Sequence, residues 1–451
     1  MPGVTLTRWT MAYFGLALVA LVLAELLMAF GFGYPAVPAE AAETLVLVHV
    51  VAIGWLSLLL CGALFQFVPV LVTHKLYSDT LPLPVLVSLV SGLVLLIVGF
   101  LQMGGRLASA WPAFPAAAVL LSLGFGLALW NLGRTLWAAR PLSLAARFVV
   151  VGLCSLGATV ALGVIFALVL GGVTGHAHLI ELTASGLPLH VIAGLGGWLT
   201  FSAMGVSYRL LAMFMLAPEL GGPRTRAALY SGAAALAVAI AGGVAAICLE
   251  GSLTLILSVA GLLGLGCCGL YGADIVHLYR ARMRRAIELN SRMASWALAS
   301  LAVAVAAIIV LLGAGVFTRY VPAVVFLIGF GWLSGLGLAK LYKIVAFLTW
   351  LECYGPVLGK TPTPRVQDLA VQTRAVKWFA LYFLAVWCAT AALFVDAPLA
   401  FRICAGVMAL ASIGIIAELV RIRRLVDVKT ALRLPPGVRL PRLLHCSVQH
   451  A

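Results

Sequence analysis

Charge is what this sequence has least of. Of its 451 residues only 10% are charged, and the acids number 14. A soluble domain is about half apolar and carries about a quarter of its residues as Asp, Glu, Lys and Arg. Here the apolar share is 64% and the mean hydropathy is +1.15, which excludes a water-soluble globule. Long polar stretches are scarce as well. A bilayer span takes roughly 20 apolar residues, so about a dozen spans use over half the chain and leave no room for a separate soluble domain. The chain has nine cysteines but no CxxC, and nearly all of them fall in apolar runs or expected inner loops, which argues against a disulfide framework. No Walker motif, dinucleotide fingerprint or nucleophile elbow occurs, so ATP-driven transport and hydrolase chemistry find no support. The first apolar run follows Arg8 and lacks a small-residue cleavage site, so it reads as a retained span.

What the chain does have is basic charge, 29 Lys and Arg for a net +15. No basic stripe with interleaved aromatics sits on a soluble module, so nucleic acid is not the expected partner. The expected partner is the lipid bilayer, with the basic residues setting topology. Apolar runs between polar breaks predict twelve spans, near 9–33, 44–72, 81–104, 110–135, 148–173, 183–216, 227–249, 252–278, 293–316, 320–351, 375–395 and 398–420. With the N-terminus inside, only Arg106, Arg319 and Arg402 of the 29 basic residues fall on the outer side. The outer connections hold acids instead, among them Glu40, Glu43, Glu181, Glu250 and Asp396. The expectation is a multi-pass protein with both termini cytoplasmic.

A threefold pattern runs through it. Gly54 opens GWLSLLLCGALFQFVPVL, Gly197 opens GWLTFSAMGVSYRLLAMF, and Gly331 opens GWLSGLGLAKLYKIVAFL. Each tryptophan (Trp55, Trp198, Trp332) is followed by Leu, then Ser or Thr, and ten residues on by Phe65, Tyr208 or Tyr342. The three copies fall in spans 2, 6 and 10, the second of every four. The expected fold is therefore all-α: twelve transmembrane helices in three four-helix arcs with pseudo-threefold symmetry. It forms a single membrane domain with internal repeats at about 1–142, 143–288 and 289–451.

Twelve spans in three arcs, with key residues on the second helix of each, resemble the catalytic subunit of heme-copper oxidases and nitric oxide reductases. The segment HVVAIGWLSLLLCGALFQFVPVL, His49 to Leu71, is similar to that family's second helix, which carries an axial histidine of the low-spin heme. It is closer still to divergent bacterial relatives of that subunit. The resemblance implies a bacterial inner membrane, other redox subunits or a periplasmic electron donor as partners, and heme b as cofactor. The departures matter equally. Span 10 has no histidine, Phe326 stands where His49 stands in the first copy, and span 7 has none of the family's copper ligands. Neither the copper triad nor the proximal ligand of a high-spin heme can be placed. The expectation is a relative of the oxidases that does not itself reduce oxygen or nitric oxide, with a role in electron transfer, gas sensing or a redox assembly.

Of eight histidines, His74, His277, His445 and His450 fall at expected inner ends or in the tail and read as interfacial side chains. His49 and His190 lie inside spans 2 and 6. An intramembrane histidine needs a partner, either the axial position of a bis-imidazole heme b or a plain hydrogen bond to a backbone carbonyl or to Glu25. His176, His178 and Glu181 form an outer-loop group with metal-ligand chemistry, able to take copper or zinc if the stretch is extended enough to align the rings. Two other readings stay open: a metal or small-solute transporter using those outer histidines, and a structural subunit without a cofactor. Asp274, Arg209, Lys340, Lys343 and Glu418 are charges expected in the inner half, where such groups pair or reach for the surface. A proton path through Asp274 and Lys340 is a further reading.

Overall fold

Inside a bilayer the backbone has no water to bond with, so a chain this apolar must satisfy its N–H and C=O groups within each segment. The computed structural model, which describes residues 7–108, 111–432, 434 and 440–446, has no strand among them. Twelve of the described helices are long and apolar enough to cross a membrane. They are α1 (Thr10–Ala29), α2 (Ala42–Val72), α3 (Pro82–Met103), α4 (Ala113–Ala138), α5 (Leu144–Leu170) and α6 (Leu187–Met215), followed by α7 (Pro223–Cys248), α8 (Leu253–Arg280), α9 (Leu289–Gly313), α10 (Phe317–Val357), α11 (Gln372–Phe394) and α12 (Pro398–Arg423). Every expected span is matched. The protein is a multi-pass membrane protein, and apolar side chains such as Val19, Val119, Leu262, Val310 and Leu384 are exposed where lipid would cover them. One expected boundary moves. The apolar pattern starts span 6 near 183, but Gly186 separates a short helix, Ala177–Ser185, from α6. Pro188 near the start of α6 has no N–H to offer an upstream carbonyl, which favours that break.

The chain divides into two compact units. One holds the described residues up to Gln66 with those from Ile287 onward, and the other holds Phe67–Ala286, so the boundary falls inside α2. In the first unit α1 packs on α12 and on the near half of α2, and α11 packs on α12. In the second, α3 packs on α4, α5 on α6, and α7 on α8.

Each Gly-Trp-Leu copy contains a π-helical stretch at nearly the same register: Val50–Ser57, Ile192–Leu199 and Leu327–Ser334. A π turn bonds five residues along instead of four, and such stretches concentrate at functional sites. The hydroxyl after Trp-Leu fits that spacing. Thr200 Oγ1 donates to the Leu195 carbonyl at 2.6 Å, and Ser334 Oγ donates to the Gly329 carbonyl at 2.7 Å, each five residues back. In the second and third copies the glycine before Trp is needed for close helix packing. A Cβ on Gly197 would come within 2.3 Å of Ser155, and one on Gly331 within 2.9 Å of Ser300.

Of the charges expected in the inner half, Asp274, Arg209, Lys343 and Glu418 have partners, and the positions eleven residues past the first and third tryptophans act alike. Gln66 accepts a hydrogen bond from the Thr7 backbone N–H at 2.9 Å, and Lys343 pairs with Glu288 at 2.7 Å. Both ties run to the segment just ahead of a four-helix set. Arg209 pairs with Glu219 instead. The preceding aromatics pack on neighbouring helices: Phe65 on Tyr13, Tyr208 on Phe148 and Tyr342 on Phe379. Glu418 is held by Arg374, which also bonds Asp427 at 2.7 Å.

Asp427 lies just past α12 and accepts from Arg421 at 2.7 Å as well. Those hydrogen bonds, Arg421 first, hold its carboxyl below the ordinary aspartate value. A carboxyl with a depressed folded value stabilises the fold above its unfolded value and stops doing so as pH falls through the folded one. Acidification below about pH 4 should therefore destabilise the wild type more steeply than Asp427→Asn. Thermal unfolding across that range checks it, and parallel curves would refute it.

Candidate functional site

His49 is the residue just before the π stretch of α2, and it is half-buried. Its Nδ1 lies 2.7 Å from the Leu45 carbonyl one turn back. A carbonyl only accepts, so Nδ1 carries the hydrogen and Nε2 keeps its lone pair. Of the two hydrogen-bond acceptors expected for this ring, the backbone carbonyl is the one at hand. Glu25 turns elsewhere and accepts from Ser412 at 2.9 Å. Nδ1–H spent on a carbonyl is the usual way a ligating imidazole is oriented and its tautomer fixed. His49 thus fits the chemistry of an axial heme ligand.

His190 belongs to the second unit, in the first turn of α6 and two residues before its π stretch. It is three residues past Leu187, shallower from its helix start than an α6 beginning near 183 implied. Its ring stands 5.5 Å from that of Phe166 on α5. Gly163 makes room for it: a Cβ there would come 3.3 Å from His190 Cε1. Phe326 holds the third such place, just ahead of the last π stretch, and stacks near Phe330 and Phe401 at 4.8 and 5.3 Å.

The outer-loop group divides. His176 is extended, with ψ 125°, and precedes the helix Ala177–Ser185. That extension brings the exposed His176 and His178 rings to 5.6 Å centroid to centroid. Glu181 is exposed one turn into the helix. Among the described residues no three His, Cys, Asp or Glu side chains gather closely enough to hold a metal ion. The pair of rings is aligned, and a third ligand is not placed beside them.

His74 and His277 are exposed, as expected of interfacial side chains, and His445 packs edge-on against Trp9 at 4.8 Å. His450 lies outside the described residues. Asp274 has a structural role. It accepts from Tyr208 at 3.1 Å and from Thr225 at 2.8 Å, with Arg224 at 3.7 Å, and so ties α6, α7 and α8 together. Lys340 is buried on α10 in the other unit.

Sequence reasoning missed one buried pair. Arg423 and Glu352 meet at 2.6 Å with side chains 3% and 4% exposed. Their helices are far apart in sequence, and nothing in the local pattern of either points to the other.

Searches against protein-family models and against curated proteins return no match to this chain.

Proposed function

We propose that this chain is a heme-binding membrane protein related to the catalytic subunit of heme-copper oxidases, with His49 and His190 as its axial-ligand candidates. The observation that carries the reading is the hydrogen bond from His49 Nδ1–H to the Leu45 carbonyl, which leaves Nε2 as the coordinating atom. The close seat of the His190 ring on Gly163, beside Phe166, supports the same role for His190. The recurrence of the π stretch at one register in α2, α6 and α10 supports three four-helix arcs about a pseudo-threefold axis. The basic bias of the expected inner loops supports a bacterial inner membrane location with both termini cytoplasmic.

A bound b-type heme would supply one-electron redox chemistry or a site for a small gas. The residues of this chain do the positioning. Leu45 fixes the tautomer of His49, and Phe166 and Gly163 set the plane of the His190 ring. Other redox subunits or a periplasmic electron donor are the partners this reading implies.

The 5.6 Å approach of His176 and His178 favours a second reading, an exposed copper or zinc site on a carrier or binding protein. One sample separates the two. Protein expressed with ample heme should show the Soret band of a six-coordinate low-spin heme and contain iron near one per chain. A sample with no Soret band that retains copper or zinc would overturn the heme reading in favour of the second.

A further inference from the structure

Glu25 sits in α1 with none of its surface exposed. One carboxyl oxygen, Oε1, accepts a hydrogen bond from Ser412 Oγ of α12 at 2.9 Å. The other, Oε2, is buried and has no hydrogen-bond partner among the described residues. Among the described residues Glu25 forms no ion pair, in contrast to Glu288, Glu352 and Glu418, which each face a cation. A carboxylate so buried is strongly disfavoured, because neither water nor a counter-charge replaces its hydration. A structural tie to Ser412 needs only one acceptor oxygen, which an amide would provide without that cost. The second oxygen is what a purely structural role leaves unexplained.

The groups around it are few. α1 packs against α12 and the π stretch of α2. From α12 come Ser412 and, toward the end of α1, Arg402, whose Nε donates to the Ala29 carbonyl at 3.1 Å. From α11 comes Tyr382, close enough to Glu25 for electrostatic interaction, its hydroxyl donating to the Phe330 carbonyl at 3.0 Å. The stretch Val50–Ser57 of α2 contributes no titratable side chain and is flanked by His49 and Cys61.

We propose that Glu25 is a proton-binding site of the membrane interior, passing between carboxylic acid and carboxylate and exchanging its proton with water at the Ala29 end of α1. In the acid form the proton sits on Oε2, the oxygen that no described residue engages. On release the proton goes to water, and Ser412, with Tyr382 nearby, remains to donate to the carboxylate. Ala29 is four residues from Glu25, about 6 Å along the helix at 1.5 Å per residue, so the path to that end is short. The site depends only on residues of the first unit and needs no heme.

Infrared difference spectroscopy on protein in lipid vesicles tests this. Titration from acid to alkaline buffer should bleach a protonated-carboxyl C=O band that shifts in D2O and is missing in Glu25→Gln. Ser412→Ala, which keeps the carboxyl, should move that band to higher frequency, and it covers the case in which Glu25→Gln fails to fold. The proposal falls if no such band exists at any pH. It falls equally if the band resists exchange in D2O, or if sodium but not potassium abolishes it, which would mark a metal-cation site.

Discussion

His49→Ala and His190→Ala should each abolish most of the low-spin heme spectrum, whereas His74→Ala and His277→Ala should leave it unchanged. Losing one axial imidazole turns a six-coordinate heme into a five-coordinate one or releases it, so the expected effect is a change of spectral type. For His49 the prediction is sharper, because Nδ1–H is already spent on the Leu45 carbonyl and only Nε2 remains to coordinate. Added imidazole should then restore a six-coordinate spectrum in His49→Ala by filling the vacated space. At His190 the neighbour offers an independent handle. Gly163→Val would press on Cε1, where even a Cβ would come within 3.3 Å, and should perturb the spectrum without removing any ligand atom. The surface pair His74 and His277 controls for the loss of any histidine. If His49→Ala keeps the wild-type spectrum, the ligand assignment fails whatever the other variants do.

The spans were legible in the sequence because the bilayer leaves the chain little choice. Long apolar runs become helices when no other structure satisfies the backbone, and the twelve observed helices begin and end within several residues of the expected ones. Gly186 is the informative exception. Its break was hidden because Leu, Pro and Gly around it are as apolar as the helix that follows. The π stretches were half legible. A π turn differs from an α turn by one residue per hydrogen bond, which no hydropathy pattern records. Yet the Ser or Thr after Trp-Leu in each copy was visible, and Thr200 and Ser334 bond to the carbonyls five residues back. Trp55 adds a link between two of the copies, donating from Nε1 to Ser334 Oγ at 2.7 Å.

At the candidate site, residue types were easier to read than partners. Sequence alone marked His49 as needing a partner but could not choose among an axial heme position, a backbone carbonyl and Glu25, since the choice depends on packing and on a side-chain torsion. It marked Asp274 as an intramembrane acid, but not that Tyr208 and Thr225 both donate to it. The alignment of His176 with His178 turned on whether the chain at 176 was extended, and a two-residue spacing is silent on that.

The largest stability effect is expected where the sequence was silent. Arg423 pairs with Glu352 at 2.6 Å and also donates to Thr349 at 3.2 Å and to the Arg442 and His445 carbonyls at 3.0 and 2.8 Å. One buried guanidinium thus joins α10, α12 and the residues near 445. Arg423→Met should destabilise the protein by about 3–5 kcal/mol, because it leaves a buried carboxylate and several acceptors unmatched. Glu352→Leu should cost a similar amount by stranding the cation. The double variant Arg423→Met/Glu352→Leu should be less damaging than the sum, since an apolar pair of similar volume needs no counter-charge. Cys446 gives a local readout. It is 2% exposed, its N–H donates to the Arg8 carbonyl at 3.1 Å, and burial pushes its thiol up to about 12. A thiol so placed should resist maleimide in the wild type. In Arg423→Met, with the carbonyls of Arg442 and His445 released, mass spectrometry should find Cys446 labelled. Additive losses in the double variant, or a Cys446 equally protected in all forms, would mean that Arg423 holds neither the charge nor the segment.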